Sequence, residues 1–127
     1  MSGADAVMLS FTNKRVYLAC GHTDMRKSIN GLAAIVEVSF NLSPFSAAVF
    51  VFCNRNRDRV KILEWDGDGF WLYFKRLEKG RFRWPKATEG DEVATMILDS
   101  NELAHLLGSP RVIQKLLRNE VKIGAVI

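Results

Sequence analysis

The sequence is poor in residues that build disulfide or metal-linked scaffolds. Only two cysteines and two histidines occur among 127 residues. No Cys-x-x-Cys or His-x-x-x-His pair is present, so a zinc site is a weak alternative, and we predict neither a metal nor another cofactor. Two cysteines are too few for a disulfide framework and favour a reducing compartment. The four ligands that such a zinc site could use are Cys20, His22, Cys53 and His105.

Long apolar runs and leader-like segments are also lacking. The longest apolar run, residues 47–53, has the length of a buried strand and is far shorter than the ~20 residues that cross a bilayer. The first residues show no secretory pattern of a charged region followed by an apolar one. We therefore expect a cytoplasmic protein without a membrane partner, and the length predicts a single domain over residues 1–127.

The chain does contain one strongly cationic and aromatic stretch. Residues 55–86 hold ten Lys or Arg and five Asp or Glu, so this stretch carries 10 − 5 = +5, whereas the whole chain carries +4. All three tryptophans lie in the same stretch. A local positive field of this kind favours an acidic partner, and nucleic acid is the commonest one.

Hydrophobic patterning predicts an α+β fold. Residues 16–19 have strand composition, and the runs 47–53, 59–66, 70–77 and 81–84 predict an antiparallel meander of about four strands. A main helix is expected to begin behind a cap at Thr23 or Asp24, to end near Phe40 and to pack on one face of the sheet. Its predicted apolar stripe consists of Ile29, Leu32, Ala33, Val36 and Phe40.

Two short helices are predicted towards the end of the chain. Asp99 and Glu102 have the spacing of a capping box for a helix that reaches Leu107. Ser109 followed by Pro110 is typical of a second helix start, which predicts a C-terminal helical extension over residues 109–127.

The turn at residues 66–69, Asp-Gly-Asp-Gly, decides which side chains share a face of the sheet. Trp71, Tyr73 and Lys75 lie on one face of the strand that follows this turn. A three-residue loop would place Lys61 on the same face, whereas a four-residue loop would place it on the other. The sequence leaves both registers open.

Cations interleaved with aromatic side chains predict a DNA-binding surface. Lys and Arg neutralise phosphates, and flat rings such as Trp71 and Tyr73 stack on bases or pack on sugars. The predicted phosphate contacts are Arg55, Arg57, Arg59, Lys61, Lys75, Arg81 and Arg83. Arg26 and Lys27, expected in the first turn of the main helix, are a second candidate for phosphate. The alternative is that the aromatics belong to the core and the cations solubilise strand edges.

A metal-dependent nuclease is a further alternative, with Asp58, Asp66 and Asp68 as its carboxylates. Aspartates that alternate with glycines are, however, typical of a tight turn. No nucleophile–base motif, phosphate-binding glycine loop or dinucleotide fingerprint occurs. We therefore predict no catalytic residues.

Four segments together resemble a known family. They read VYLACGHTDMRK at 16–27, FVFCNR at 50–55, KILEWDGDGFWLY at 61–73 and KRLEKGRFRWP at 75–85. They are similar to the TnpB (Orf2-like) accessory protein of bacterial insertion-sequence family sixty-six, over a core of about residues 7–108. The resemblance implies a small protein made beside a separate, larger transposase, needed for efficient transposition and without an established catalytic activity.

We therefore expect a non-enzymatic accessory protein in DNA transposition that binds insertion-sequence end DNA through the basic and aromatic sheet face. The resemblance also implies the element's transposase and its other accessory protein as partners. The alternative is a protein-interaction module that binds the transposase without contacting DNA. Trp65, Trp71 and Tyr73 would then be its anchors, because such residues dominate interface hot spots.

Overall fold

The computed structural model describes residues 14–87 and 95–108, and in them the α+β class is confirmed. The elements, in chain order, are β1 (Arg15–Ala19), α1 (Ile29–Ala34) with a π-helical continuation (Ile35–Ser39), β2 (Ala48–Cys53), β3 (Arg59–Trp65), β4 (Phe70–Arg76), β5 (Thr95–Leu98) and α2 (Ser100–Leu106). No helix in these ranges is long and apolar enough to cross a membrane.

In the part of the chain that the structure describes, the sheet has five strands in the order β4-β3-β2-β1-β5, so the prediction of about four antiparallel strands is corrected in detail. The β2-β3-β4 meander is antiparallel as predicted. β1 pairs in parallel with β2, because α1 carries the chain back across the sheet between them. β5 pairs antiparallel with β1 and forms the edge opposite β4.

The strand predicted at residues 81–84 is wrong. This segment is extended but lies on the sheet instead of in it, with Phe82 and Trp84 buried. Trp84 Nε1 donates a hydrogen bond to the carbonyl of Ala19 at 2.8 Å, and the N–H of Phe82 donates to the carbonyl of Arg57 at 2.7 Å. The alternation of apolar and cationic residues correctly predicts an extended chain, but it does not show whether that chain pairs within the sheet or lies on it.

The main helix begins later than predicted, at Ile29 behind Ser28. Neither of the expected caps is its N-cap; the Asp24 carboxylate instead accepts hydrogen bonds from the backbone and guanidinium of Arg26. The predicted stripe is confirmed, since Leu32 and Val36 are fully buried. Ile29, Ala33 and Phe40 pack against the same cluster.

Each face of the sheet is covered by different elements. On the α1 face, Phe50, Phe52 and Leu63 lie under Leu32 and Val36. On the opposite face, here called the α2 face, Val49, Val51 and Ile62 form one cluster with Phe82, Trp84 and Leu103. The two faces thus carry separate clusters, and β2, buried at all six positions, contributes to both.

The capping box of α2 is confirmed. The Asp99 carboxylate accepts from the N–H of Glu102 at 2.7 Å, and the Glu102 carboxylate accepts from the N–H of Asp99 at 3.2 Å. α2 packs Leu103 and Ala104 on the α2 face. The further helix predicted after Ser109 lies outside the described residues.

Candidate nucleic-acid interface

The register between β3 and β4 shows which of the two possible loop lengths occurs at residues 66–69. Trp65 pairs with Phe70, so the loop has four residues, and Lys61 pairs with Phe74 on the α1 face. Lys61 therefore does not share a face with Trp71 and Tyr73. Its Nζ donates to the carbonyls of Met25 and Lys27 at 2.9 and 2.8 Å, which ties β3 to the segment before α1.

The cations chosen from the sequence do not form one face of the sheet. Arg59 lies on the α1 face, like Lys61, and Lys75 lies on the α2 face. Arg81 and Arg83 are exposed on the segment that covers the α2 face, where they alternate with its buried aromatic residues. The structure therefore distributes these side chains around one end of the molecule.

Arg26 and Lys27 are not in the first turn of a helix, since α1 begins at Ile29. The Arg26 guanidinium forms an exposed ion pair with Asp24 at 2.7 Å. Hydrogen bonds from Arg26 lower the pKa of the Asp24 carboxyl to about 2. The charge of Arg26 is thus partly neutralised, which weakens its case as a phosphate ligand.

A pocket of about 400 Å³ opens where the parallel strands β1 and β2 end. Three of its lining side chains are cationic, namely Arg55, Arg57 and Lys86, and within residues 14–87 and 95–108 no carboxylate lines it. The other lining residues are Gly21, His22, Asn54, Trp84, Pro85 and Ala87. Carboxyl ends of parallel strands are a common place for ligand sites in α/β sheets.

Sequence reasoning missed two residues of this pocket. His22 was considered only as a zinc ligand, and Lys86 only as one of the cations in the basic stretch. The parallel pairing of β1 with β2 brings the loop after β1 beside the end of β2, where the N–H of Thr23 donates to the carbonyl of Cys53 at 2.7 Å. The segment after β4 reaches the same place, because the N–H of Gly21 donates to the carbonyl of Pro85 at 2.8 Å. The antiparallel meander predicted from the sequence does not bring these segments together, so it gave no indication of the pocket.

The buried side chain of Asn54 organises the loop that carries Arg55 and Arg57. Its Oδ1 accepts from the N–H groups of Asp58 and Arg59, both at 3.0 Å, and its Nδ2 donates to the Asp58 carboxylate at 2.6 Å. The hydrogen bond from Asn54 lowers the pKa of Asp58, and the positive charges of Arg59 and Arg81 contribute in the same direction. The loop is thus fixed by its own buried amide.

Arg57 has a backbone conformation that side chains other than glycine rarely adopt, with φ at +61°. A left-handed residue with a Cβ costs roughly 1 kcal/mol or more. Its N–H donates to the carbonyl of Asn54 at 3.1 Å, and its carbonyl accepts from Phe82. A non-glycine residue held in this conformation next to a pocket is a reason to test its side chain for a functional role.

The aromatic residues chosen as anchors are separated by the fold. Trp71 and Tyr73 stack on the α2 face with their ring centres 6.5 Å apart, and Trp71 Nε1 donates to the Asp66 carboxylate at 2.9 Å. Trp65 lies on the other face. There it contacts Phe45 and Phe70, with ring centres 5.0 and 4.9 Å away.

One buried ion pair had no signal in the sequence. Glu64 is 2% exposed on β3, and its carboxylate accepts from Lys14 Nζ at 2.6 Å and from the Tyr73 hydroxyl at 3.0 Å. The Lys14 side chain is 13% exposed. This triad links the residue before β1 to β3 and β4, and it therefore holds three strands of the sheet together.

The possible zinc and carboxylate ligands are not gathered. Within residues 14–87 and 95–108, no three His, Cys, Asp or Glu side chains come together as a metal site would require. Cys53 is fully buried in β2, and burial raises the pKa of its thiol to about 12. Asp66 and Asp68 lie in the hairpin turn, where the N–H of Asp66 donates to the carbonyl of Gly69 at 2.8 Å.

Comparison with known proteins agrees with the resemblance seen in the motifs. A family model described as "IS66 Orf2 like protein" matches residues 14–115, which extends beyond Gly108. The uncharacterized protein y4hO of Sinorhizobium fredii (strain NBRC 101917 / NGR234) is 41% identical over 95 residues, 75% of this chain and 79% of that protein. The uncharacterized protein y4jC of the same strain is 36% identical over 76 residues, 60% of this chain and 65% of that protein.

No solved structure gives a significant match to this chain. The family match covers most of the sequence and includes all the described strands and helices. The chain therefore belongs to the IS66 Orf2-like family of insertion-sequence accessory proteins.

Proposed function

We propose that this chain is a non-enzymatic accessory factor of transposition that binds DNA through the cationic pocket and the arginines beside it. The observation that carries this proposal is a concave site at the ends of β1 and β2 that three cations line, with no carboxylate among its described lining residues. Arg55, Arg57 and Lys86 would contact phosphates in the pocket. Arg81 and Arg83 would extend the contact along the neighbouring segment.

The state of these side chains supports the proposal. All five are exposed, and none forms an ion pair with a carboxylate in the part of the chain that the structure describes. Exposed cations that form no ion pair within the protein lose few intramolecular contacts when they bind phosphate, and they release condensed counterions from the DNA. By contrast, Lys61 is engaged with backbone carbonyls and Arg26 with Asp24, so we assign them no phosphate.

Fluorescence anisotropy on labelled duplexes tests this function. If about four to six phosphates are contacted, the affinity falls by about two to three powers of ten between 50 and 200 mM salt. Insertion-sequence end DNA and a scrambled duplex should both show this fall, and a difference between them would add sequence preference. Undetectable binding to both duplexes, or binding that salt does not change, would contradict the proposal.

Arg57→Gly separates the binding role of the side chain from its structural role. Glycine adopts a positive φ without strain, and its greater freedom in the unfolded chain offsets that gain. We therefore expect the free energy of unfolding to change by less than about 1 kcal/mol. The slope of log affinity against log salt should become shallower by about 0.9, for both duplexes alike.

Arg26→Gln is the matched control for this variant. It also removes one arginine charge, but from a side chain that is paired with Asp24 and lies outside the pocket. Its salt slope is expected to equal that of the wild type. Equal slopes for Arg57→Gly and the wild type would show that Arg57 makes no phosphate contact.

An exposed aromatic patch favours a second candidate, a protein-interaction module. Phe45 is 58% exposed and packs against Trp65 and Phe70 at the hairpin end of the sheet. A surface of this kind suits a hot spot for the transposase. If DNA binding is undetectable, co-purification of the transposase with wild type but not with Phe45→Ala would support this function instead.

A further inference from the structure

The outer edge of β4 is open in the part of the chain that the structure describes. Within residues 14–87 and 95–108, β4 pairs with β3 alone, at the end of the sheet order. It has seven residues and reads Phe-Trp-Leu-Tyr-Phe-Lys-Arg. An edge of this length is a template for pairing with another strand.

The hydrogen bonds at both ends of the hairpin show which groups face the open edge. The N–H of Asp66 donates to Gly69, and the N–H of Leu77 donates to Asp58. Since hydrogen-bonded pairs alternate along an antiparallel ladder, the odd-numbered residues of β4 face β3. The residues that present their N–H and C=O groups to the open edge are Phe70, Leu72, Phe74 and Arg76.

The sequence of β4 is complementary to itself when a second copy runs antiparallel about Tyr73. Trp71 then lies opposite Lys75 of the second copy, on the α2 face. On the α1 face Leu72 lies opposite Phe74, and Phe70 opposite Arg76. No like charges oppose each other, and each cation meets an aromatic ring, which is a favourable contact.

This register also satisfies the backbone. All four outward-facing residues pair with outward-facing residues of the second copy, so each pair exchanges two hydrogen bonds. A shift of the two-fold axis by one residue in either direction would leave two positions of the seven-residue strand without a strand partner. Phe74, 52% exposed in the single chain, would pack against Leu72 of the second copy.

We propose that the protein forms a symmetric dimer in which β4 pairs with β4 of a second copy about Tyr73, joining two sheets into one. Lys75 and Arg76 do not protect the edge from this partner, because the register places aromatic residues opposite both of them. The proposal is independent of the DNA-binding function, since the cationic pocket lies at the ends of β1 and β2.

Light scattering coupled to size-exclusion chromatography of the full chain tests the dimer. The expected mass is 2 × 14.4 = 28.8 kDa for the wild type. Phe74→Pro removes an N–H group that faces the open edge and leaves the hydrogen bonds to β3 intact. The variant is therefore expected to have the mass of a single chain, 14.4 kDa. Phe74→Ile keeps the N–H and an apolar strand-forming side chain, and should remain a dimer.

Cysteine cross-linking tests the register in a Cys20→Ser background. Trp71 and Lys75 of opposite copies form a non-hydrogen-bonded pair with Cα atoms about 4.5 Å apart, which suits a disulfide. Trp71→Cys alone and Lys75→Cys alone should not cross-link, because identical positions lie about 13 Å apart along the strands. A mixture of the two variants should cross-link on oxidation.

Three results would overturn the proposal. A wild-type mass of one chain across the accessible concentration range would exclude the dimer. An unchanged dimer in folded Phe74→Pro would place the interface elsewhere. A mixture of the cysteine variants that cross-links no more than either variant alone would show that the register is wrong.

Discussion

Lys14→Met is expected to lower the free energy of unfolding by about 3 kcal/mol. The carboxylate of Glu64 is 2% exposed, and Lys14 is its charged partner at 2.6 Å. Removing one member of a buried ion pair costs about 3–5 kcal/mol, because the other charge stays buried without a counter-charge. The lower end of this range applies, since Lys14 is 13% exposed. Urea unfolding at one fixed protein concentration measures the loss.

A second variant separates the cost of the orphaned charge from the loss of packing. Lys14→Met combined with Glu64→Gln removes both charges and keeps an oxygen that accepts from the Tyr73 hydroxyl. Replacing both members of a buried pair by neutral groups is far less costly than removing one. The double variant is expected to recover at least about half of the stability lost in the single variant. A double variant less stable than Lys14→Met would contradict this account.

The elements that the sequence predicted correctly are recognised from local patterns. The apolar run of β2 requires burial on both faces, and the strand is buried throughout. The Asp99 and Glu102 capping box depends only on residues three positions apart, and it forms as predicted. The turn at 66–69 is specified by its own glycines and aspartates. In each case the pattern that predicts the element lies within a few consecutive residues.

The errors concern contacts between distant parts of the chain. An extended segment with buried Phe82 and Trp84 has the same alternation whether it joins a sheet or lies on one. The segment lies on the sheet because the carbonyls of Ala19 and Arg57 accept its hydrogen bonds. The start of α1 is an exception with a local cause: the Asp24 carboxylate accepts hydrogen bonds from Arg26, two residues further on, instead of capping the helix.

The candidate site likewise combines a feature that the sequence shows with an arrangement that depends on the tertiary structure. The basic stretch was visible in the sequence, but its grouping depended on strand register and on the parallel β1–β2 pair. The four-residue turn separates Lys61 from Lys75, and the parallel pair brings His22 to the loop of Arg57. The segment that covers the α2 face brings Lys86 to the same loop. Composition therefore indicated an anionic partner, whereas only the tertiary structure brings part of the charge together in one pocket.

Asn54→Ala is expected to destabilise the protein by about 2–3 kcal/mol and to weaken DNA binding. The substitution removes the acceptor for the N–H groups of Asp58 and Arg59, and partly buried donors without a partner carry a desolvation cost of about 1–3 kcal/mol each. The loop that carries Arg55 and Arg57 would no longer be held, so both cations lose their fixed position at the pocket. Urea unfolding and anisotropy at low salt measure the two effects.

Asp58→Ala is the control, because it leaves the Asn54 oxygen bonded to both backbone N–H groups. We expect it to lose less stability than Asn54→Ala and to keep its DNA affinity. The pKa of the Asp58 carboxyl is lower in the folded state than in the unfolded state, where it is about 3.9. The contribution of Asp58 to the free energy of unfolding is therefore fully present above that unfolded-state pKa and is lost as the pH falls through the folded-state pKa. The difference in the free energy of unfolding between the wild type and Asn54→Ala should therefore become smaller in acid. If Asp58→Ala weakens DNA binding as much as Asn54→Ala does, the carboxylate, and not the buried amide, holds the binding loop.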